Sequence, residues 1–213
     1  MVRWARQYAV AFHAHLKPEG AGCWFVLDID SRELPVTMAQ LAALHALDVL
    51  EEQGLAALVK FSGSDGFHLM WHMPDLRALG GRSVWDVERA VVAAVAAQVE
   101  RRLAVDPAAA PARAAAGEDG RLIATGSQDA AHKSGVLFDE HILKPNVNGR
   151  APWSIHAGSG LVAVPLDRAG LEGFDAAMAS PEAVLARLAD EPVPELPRNE
   201  LAAVKRALAA WGG

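Results

Sequence analysis

The chain has 213 residues and is 52% hydrophobic, enough for the core of one ordinary domain and too much for wholesale disorder. A net charge of −6 runs against a dedicated nucleic-acid binder, because neutralising phosphates leaves a basic footprint, but it is compatible with an enzyme that meets phosphates through metal ions. The single cysteine, Cys23, excludes an internal disulfide, no Cys/His set has the spacing of a structural zinc site, and no apolar run is long enough to span a bilayer, so a soluble, cytoplasmic protein with no zinc and no membrane partner is expected.

In chain order, Met1-Val2-Arg3-Trp4-Ala5-Arg6 lacks the apolar stretch of a signal peptide. Residues 23–30, Cys-Trp-Phe-Val-Leu-Asp-Ile-Asp, are apolar and β-rich and end in two acids, which predicts a buried strand stopping at a functional edge. Thr37 is the expected cap of a helix that carries Leu41, Leu44, Leu47, Val49 and Leu50 and stops at Gly54. Residues 55–61 read as a second strand, Ser62-Gly63-Ser64-Asp65-Gly66 as a turn, and residues 67–73 as the returning strand of a hairpin. Valines 84, 87, 91, 92, 95 and 99 recur at helical spacing and predict a helix over residues 83–103.

Further on, the low-complexity stretch 105–119 is expected to be a surface loop and is the best internal linker candidate. Residues 135–139 form a short strand ending in Asp139, and residues 153–166 hold at least one more strand around Gly158-Ser159-Gly160. The remainder, 167–213, reads as a helical tail broken by the Pro-rich segment 191–197, so the chain divides into a core over 1–166 and that tail.

Side chains alternate across a strand, so Asp28 and Asp30 share a face while Ile29 packs on the other. Two converging carboxylates in apolar surroundings need a cation, and hard divalent ions such as Mg²⁺ or Mn²⁺ suit oxygen ligands. Asp139 is the natural third ligand, and three carboxylates suffice to clamp two metal ions. The plain alternative is a pair of acids that solvates a turn or caps the next helix.

Two further constellations stand beside the acids. Ser62, Gly63, Ser64 and Gly66 offer backbone amides and hydroxyls to phosphate oxygens, and on the next strand His68 shares a face with Met70 and His72. Later, Ser154 and His156 are expected on one face of a strand with Arg150 just upstream. Lys60 and Lys144 read more readily as surface charges and are outer candidates for nucleotide contact.

The ordered set of Leu-Asp-Ile-Asp, the Lys60-Phe-Ser-Gly-Ser-Asp-Gly-Phe-His68 turn, Phe138-Asp139 and Ala-Pro-Trp-Ser-Ile-His156 resembles the archaeo-eukaryotic primase superfamily. The match is closest to the polymerase domain of bacterial DNA ligase D, with its Asp-x-Asp, Lys-Thr-Ser-Gly-x-x-Gly-Leu-His and Ala-Pro-Tyr-Ser motifs. The Ser-Ile-His-Ala-Gly-Ser-Gly-Leu string looks instead like a motif of primase small subunits. Over residues 22–166 the resemblance implies an α/β (α+β) primase-polymerase core related to the RNA-recognition-motif fold. Its antiparallel or mixed sheet would be flanked by helices, with a helical C-terminal tail. It further implies a template-dependent nucleotidyltransferase that uses nucleoside triphosphates and two Mg²⁺ or Mn²⁺ ions in priming, repair or end joining. The partners it implies are a DNA template and primer and a ligase or replication/repair protein. In that scheme Asp28, Asp30 and Asp139 are metal ligands, Ser62, Ser64 and His68 contact the triphosphate, and Arg150 and His156 lie nearby.

Several positions depart from the pattern. Asp65 stands where these families often carry Lys or Arg, His156 stands where the ligase polymerase has Arg, and the primase zinc module has no counterpart. Relatives carry a substantial subdomain before the Asp-x-Asp strand, whereas residues 1–22 precede it here, so a shortened N-terminal subdomain is expected. These departures motivate a non-catalytic or partner-dependent primase-like subunit as an alternative. A haloacid-dehalogenase-like phosphatase, with Asp28 as nucleophile, is a weaker one, because Asp30 is followed by Ser-Arg-Glu-Leu and no Asp-Asp pair occurs.

Overall fold

The computed structural model describes residues 13–15, 23–116, 121–126, 135–141, 148–188 and 197–211. Lys144, most of the Pro-rich break in the tail and all of residues 1–22 except 13–15 lie outside them.

The strands are β1 (His13–His15), β2 (Cys23–Asp30), β3 (Leu58–Phe61), β4 (Gly66–Met73), β5 (Ile123–Gly126), β6 (Val136–Asp139), β7 (Asn148–Arg150) and β8 (Pro165–Leu166). The helices among the described residues are α1 (Val36–Glu52), α2 (Val84–Leu103), α3 (Ala110–Ala115), α4 (Arg168–Glu172), α5 (Pro181–Leu188) and α6 (Leu201–Ala210). Six strands form one mixed sheet in the order β5-β6-β2-β4-β3-β8, and β1 pairs with β7 in a separate antiparallel ribbon. Every neighbour in the large sheet is antiparallel except β5 and β6, which run parallel. This is the mixed-sheet α/β architecture expected from the sequence.

The period-2 pattern of β2 and β4 gives the sheet one fully apolar face. Phe25, Leu27 and Ile29 of β2 are buried there with Phe67, Leu69, Trp71 and Met73 of β4. Phe25 and Trp71 meet edge to face with ring centroids 4.6 Å apart. Helices α1 and α2 pack on each other and supply the cover. In α1 the buried stripe is largely Ala39, Ala42, Ala43 and Ala46, small enough for close approach, with Leu47 and Leu50 beside it, while α2 buries Val87, Val91, Val95 and Val99 one turn apart.

One buried acid serves the sheet itself. Strand β6 pairs with β2 only at Ile29 and Asp30, so among the described residues no strand pairs with the first half of β2 on that side. Glu88 of α2, itself 1% exposed, fills the gap by accepting the Val26 N–H at 2.8 Å.

Three local expectations change. Helix α1 begins at Val36 behind Pro35, with no side-chain cap from Thr37, because the fixed φ of proline (−57° here) starts the helix without one. Ser83 does cap α2, accepting from Trp85 N. The stretch 105–119, expected as a loop, is instead helical over Pro107–Ala109 and Ala110–Ala115: its alanines favour helix, and Pro107 and Pro111 sit in first turns, where proline is tolerated. Residues 153–164 are not a strand but a tight hairpin with one isolated bridge, Ile155 to Val162, and β8 follows at Pro165. No helix among the described residues is long and apolar enough to cross a membrane.

Candidate metal and phosphate site

The register of the sheet builds the site in two rows on the face opposite the apolar one. Asp28 pairs with His68, and His68 in turn with Lys60. The β2–β6 ladder pairs Ile29 with Phe138, so one further step sets Asp139 opposite Asp28. The first row therefore runs Asp139, Asp28, His68, Lys60 across four strands. In the second row Asp30 pairs with Gly66 on β4 and with Leu137 on β6.

One carboxylate oxygen each of Asp28, Asp30 and Asp139 lies within 4.8 Å of the others. His68 Nε2 lies 3.1 Å from Asp28 Oδ1, yet that oxygen is buried without an aligned hydrogen-bond donor. Asp139 Oδ1 accepts the His141 N–H at 2.7 Å, which fixes its rotamer. The donor set is all oxygen and the acids crowd each other, which fits a hard divalent cation.

The charge states follow from this crowding. Burial, then the neighbouring carboxylates of Asp28, Asp65 and Asp139, push the Asp30 carboxyl up to about 8, with Arg32 opposing. Burial also acts to raise Asp28, but His68, Lys60 and Arg150 outweigh it and hold the group below the usual carboxylate range. His68 is pushed down by burial and by Lys60 despite Asp28. Asp28 is thus an ionised carboxylate facing a neutral imidazole.

The glycine turn is held against these acids. A Cβ at Gly66 would stand 2.1 Å from Ile29 O and 2.4 Å from Asp30 Oδ1, so only glycine lets Asp30 lie across β4. Ser62 Oγ accepts the amides of Ser64 (3.2 Å) and Gly66 (3.3 Å), and Ser62 is buried, so it builds the turn while Ser64 stays partly open. Asp65 anchors the other end, its carbonyl accepting both Ser31 N (3.0 Å) and Ser31 Oγ (2.7 Å).

Arg150 and His156 join from the C-terminal half. Arg150 donates to Ser62 O at 2.6 Å. Gly63, at φ +89°, packs so close to His156 that a Cβ there would meet the histidine Cβ at 3.0 Å. Ser159 ties the two loops together: its N–H donates to His156 Nδ1 at 3.1 Å, and its Oγ donates to Gly63 O. The pKa of His156 is lowered by burial and by Arg150, with Asp65 opposing. Trp153, at φ +67°, turns the chain between Arg150 and this loop.

The structure therefore gathers Asp28, Asp30, Asp139, His68, the 62–66 turn, Arg150 and His156. Ser154 is fully buried and does not lie on a strand face with His156 as expected. Lys60, expected at the surface, has no exposed area at all. Ser159 and Arg32 were not singled out in the sequence; the Gly-Ser-Gly string was the signal for Ser159, and the signal for Arg32 was its place directly after Asp30 and Ser31.

A mixed sheet with converging acids at the ends of its central strands, a glycine turn across from them and a histidine in register defines an α/β protein of the primase-polymerase class. The chain belongs to the LigD primase-polymerase domain family, whose model matches residues 1–194. It is also similar to the solved polymerase domain from Mycobacterium tuberculosis Ligase D in complex with DNA. That likeness has 22% identity and a TM-score of 0.56, and covers 86% of this chain and 58% of that one; at this identity it concerns the fold. The chain spans a little over half the length of that polymerase domain. No curated protein matches it. The family expected from the ordered motifs is the family found.

Proposed function

We propose that the chain is a cytoplasmic nucleotidyltransferase of DNA repair and end joining that extends a templated DNA primer from nucleoside triphosphates, with divalent cations held by Asp28, Asp30 and Asp139. The observation that carries this reading is the convergence of those three carboxylates within 4.8 Å, including a buried Asp28 oxygen that lacks an aligned donor. Mg²⁺ or Mn²⁺ bound there supplies positive charge to an attacking hydroxyl and to the triphosphate. Asp28 is ionised before any ligand arrives, whereas Asp30 carries a proton to about pH 8 that a cation held there would displace. His68, its Nε2 3.1 Å from Asp28 Oδ1, flanks that carboxylate as a neutral ring and leaves the oxygen free for a cation. Ser62 and Gly66 shape the turn, Ser64 and the backbone at Gly63 face the phosphates, and Arg150 and His156 add donors beside them. A ligase or other repair protein is the expected partner.

The test is extension of a primed template with Mg²⁺ or Mn²⁺, ribonucleotides and deoxyribonucleotides being compared side by side. Metal-dependent incorporation is expected, with a loss of roughly a thousandfold or more in Asp28→Ala. Activity unchanged in Asp28→Ala contradicts the metal assignment. A purified chain that binds nucleotide but incorporates none supports the partner-dependent reading, which the Asp65 carboxylate beside Asp30 favours. The phosphatase alternative has no support from the family to which the chain belongs.

A further inference from the structure

Lys60 is the one member of the first row that the proposed chemistry leaves unused. It lies on β3 with 0% exposure, and its Nζ has no hydrogen-bond partner. An ammonium in that position costs stability, since burial removes its hydration and nothing replaces it. A protein needing only structure there has a less costly choice in methionine or leucine, which can be buried without a partner. Burial pushes the Lys60 amine down to about 7; Asp28 opposes that shift and Arg150 adds to it. Lys60 and Asp28 thus sense each other across His68.

A cation fixed at one end of a row of carboxylates acts with opposite sign on two ligands. It repels a divalent ion arriving alone and attracts a polyphosphate. We infer that Lys60 is a positioning residue that biases the carboxylate site against a bare divalent cation and toward a divalent cation that arrives with a polyphosphate. This rests on the metal and triphosphate reading above and names what that site selects: the metal–polyphosphate chelate. Lys60 touches neither ligand, because it has no accessible surface. It acts through the field across His68 and Asp28. In the absence of ligand the cost of burying its charge exceeds what its attraction to Asp28 returns, so the same residue should lower stability and raise selectivity.

The test is Lys60→Met, which keeps the length of the stem and removes the charge. Three quantities are read: the melting temperature of the free protein, the Kd for Mn²⁺ alone by electron paramagnetic resonance, and the Kd for the α,β-imido analogue of ATP with Mg²⁺ by calorimetry. The expected result is a melting temperature equal to or above wild type, Mn²⁺ bound about threefold to tenfold more tightly, and the triphosphate about tenfold more weakly. Lys60→Arg keeps the charge and should return both constants toward wild type. If Lys60→Met is insoluble, Lys60→Gln is read in the same way. Both constants moving in the same direction, or neither moving, overturns the inference while leaving the metal site intact. A wild-type chain that binds neither Mn²⁺ nor the analogue contradicts the proposed function, and the role of Lys60 falls with it.

Discussion

Two groups of acids in this molecule show what a carboxylate cluster does and does not signify. On α1, Asp48, Glu51 and Glu52 stand at the surface, each met by an arginine from another helix. Arg168 reaches Asp48 at 2.8 Å and Glu51 at 2.5 Å, and Arg102 reaches Glu52 at 2.6 Å. These pairs clamp α1 to α2 and α4 at modest gain, since exposed ion pairs contribute little. Asp28, Asp30 and Asp139 are drawn together by sheet register instead, crowded enough that one carboxyl stays protonated to about pH 8. The first cluster finds its counter-charges within the protein. The second is arranged so that a ligand from solution neutralises it.

Substitutions can break or sharpen this contrast. The largest effect is expected for Gly66→Ala, whose Cβ would collide with Ile29 O and displace the Asp30 carboxylate. A loss of roughly 3 kcal/mol of stability is expected, read by denaturant unfolding, together with loss of Mn²⁺ binding. A Gly66→Ala protein with normal stability and metal binding would show that the close approach is not required.

The next effect concerns pH. The Asp30 carboxyl titrates near 8 in the folded protein and near 3.8 when unfolded, so the folded state binds more protons between those values. Its contribution is full below the unfolded value and is lost as pH rises through about 8. The buried Lys60, lowered to about 7, begins to lose its charge only at the top of the window between pH 5 and 7 and does so in both proteins, so the comparison with Asp30→Asn cancels it. Over that window the metal-free wild type should lose about 5 °C of melting temperature relative to Asp30→Asn, and Mg²⁺ should stabilise the wild type more at pH 7 than at pH 5. Parallel curves for the two proteins would remove the raised carboxyl from the account. The smallest effect belongs to the surface cluster: Glu52→Gln should cost less than about 1 kcal/mol in denaturant unfolding and leave primer extension unchanged.

The strand pattern carried the centre of the site plainly. Period-2 alternation put Asp28 and Asp30 on one face, His68 on the matching face of the hairpin, and glycine at 63 and 66 where left-handed backbone or close contact demands it. Helices α1 and α2 were legible from their apolar stripes. What stayed hidden depends on partners far away in the chain. The sequence around Lys60, Leu-Val-Lys-Phe, looks like an edge strand with a solvated charge, and only its register against His68 and Pro165 buries it. Strand β5 exists because it pairs in parallel with β6, and Glu100 of α2 accepts the amides of Leu122 and Ile123 beside it. Glu88 reads as an exposed helical glutamate, and only the folded structure shows it buried and accepting the Val26 N–H of β2. Around His156 the alternation of apolar and polar residues suggested a strand, but Trp153 and Gly160 at positive φ fold the segment back on itself.

The most direct test of the account is Mn²⁺ binding measured by electron paramagnetic resonance on the wild type, Asp28→Asn and Glu52→Gln. The expected result is saturable binding to the wild type and Glu52→Gln, with at least a tenfold loss of affinity in Asp28→Asn. Equal binding by all three proteins would contradict the assignment of the three converging carboxylates as the metal site.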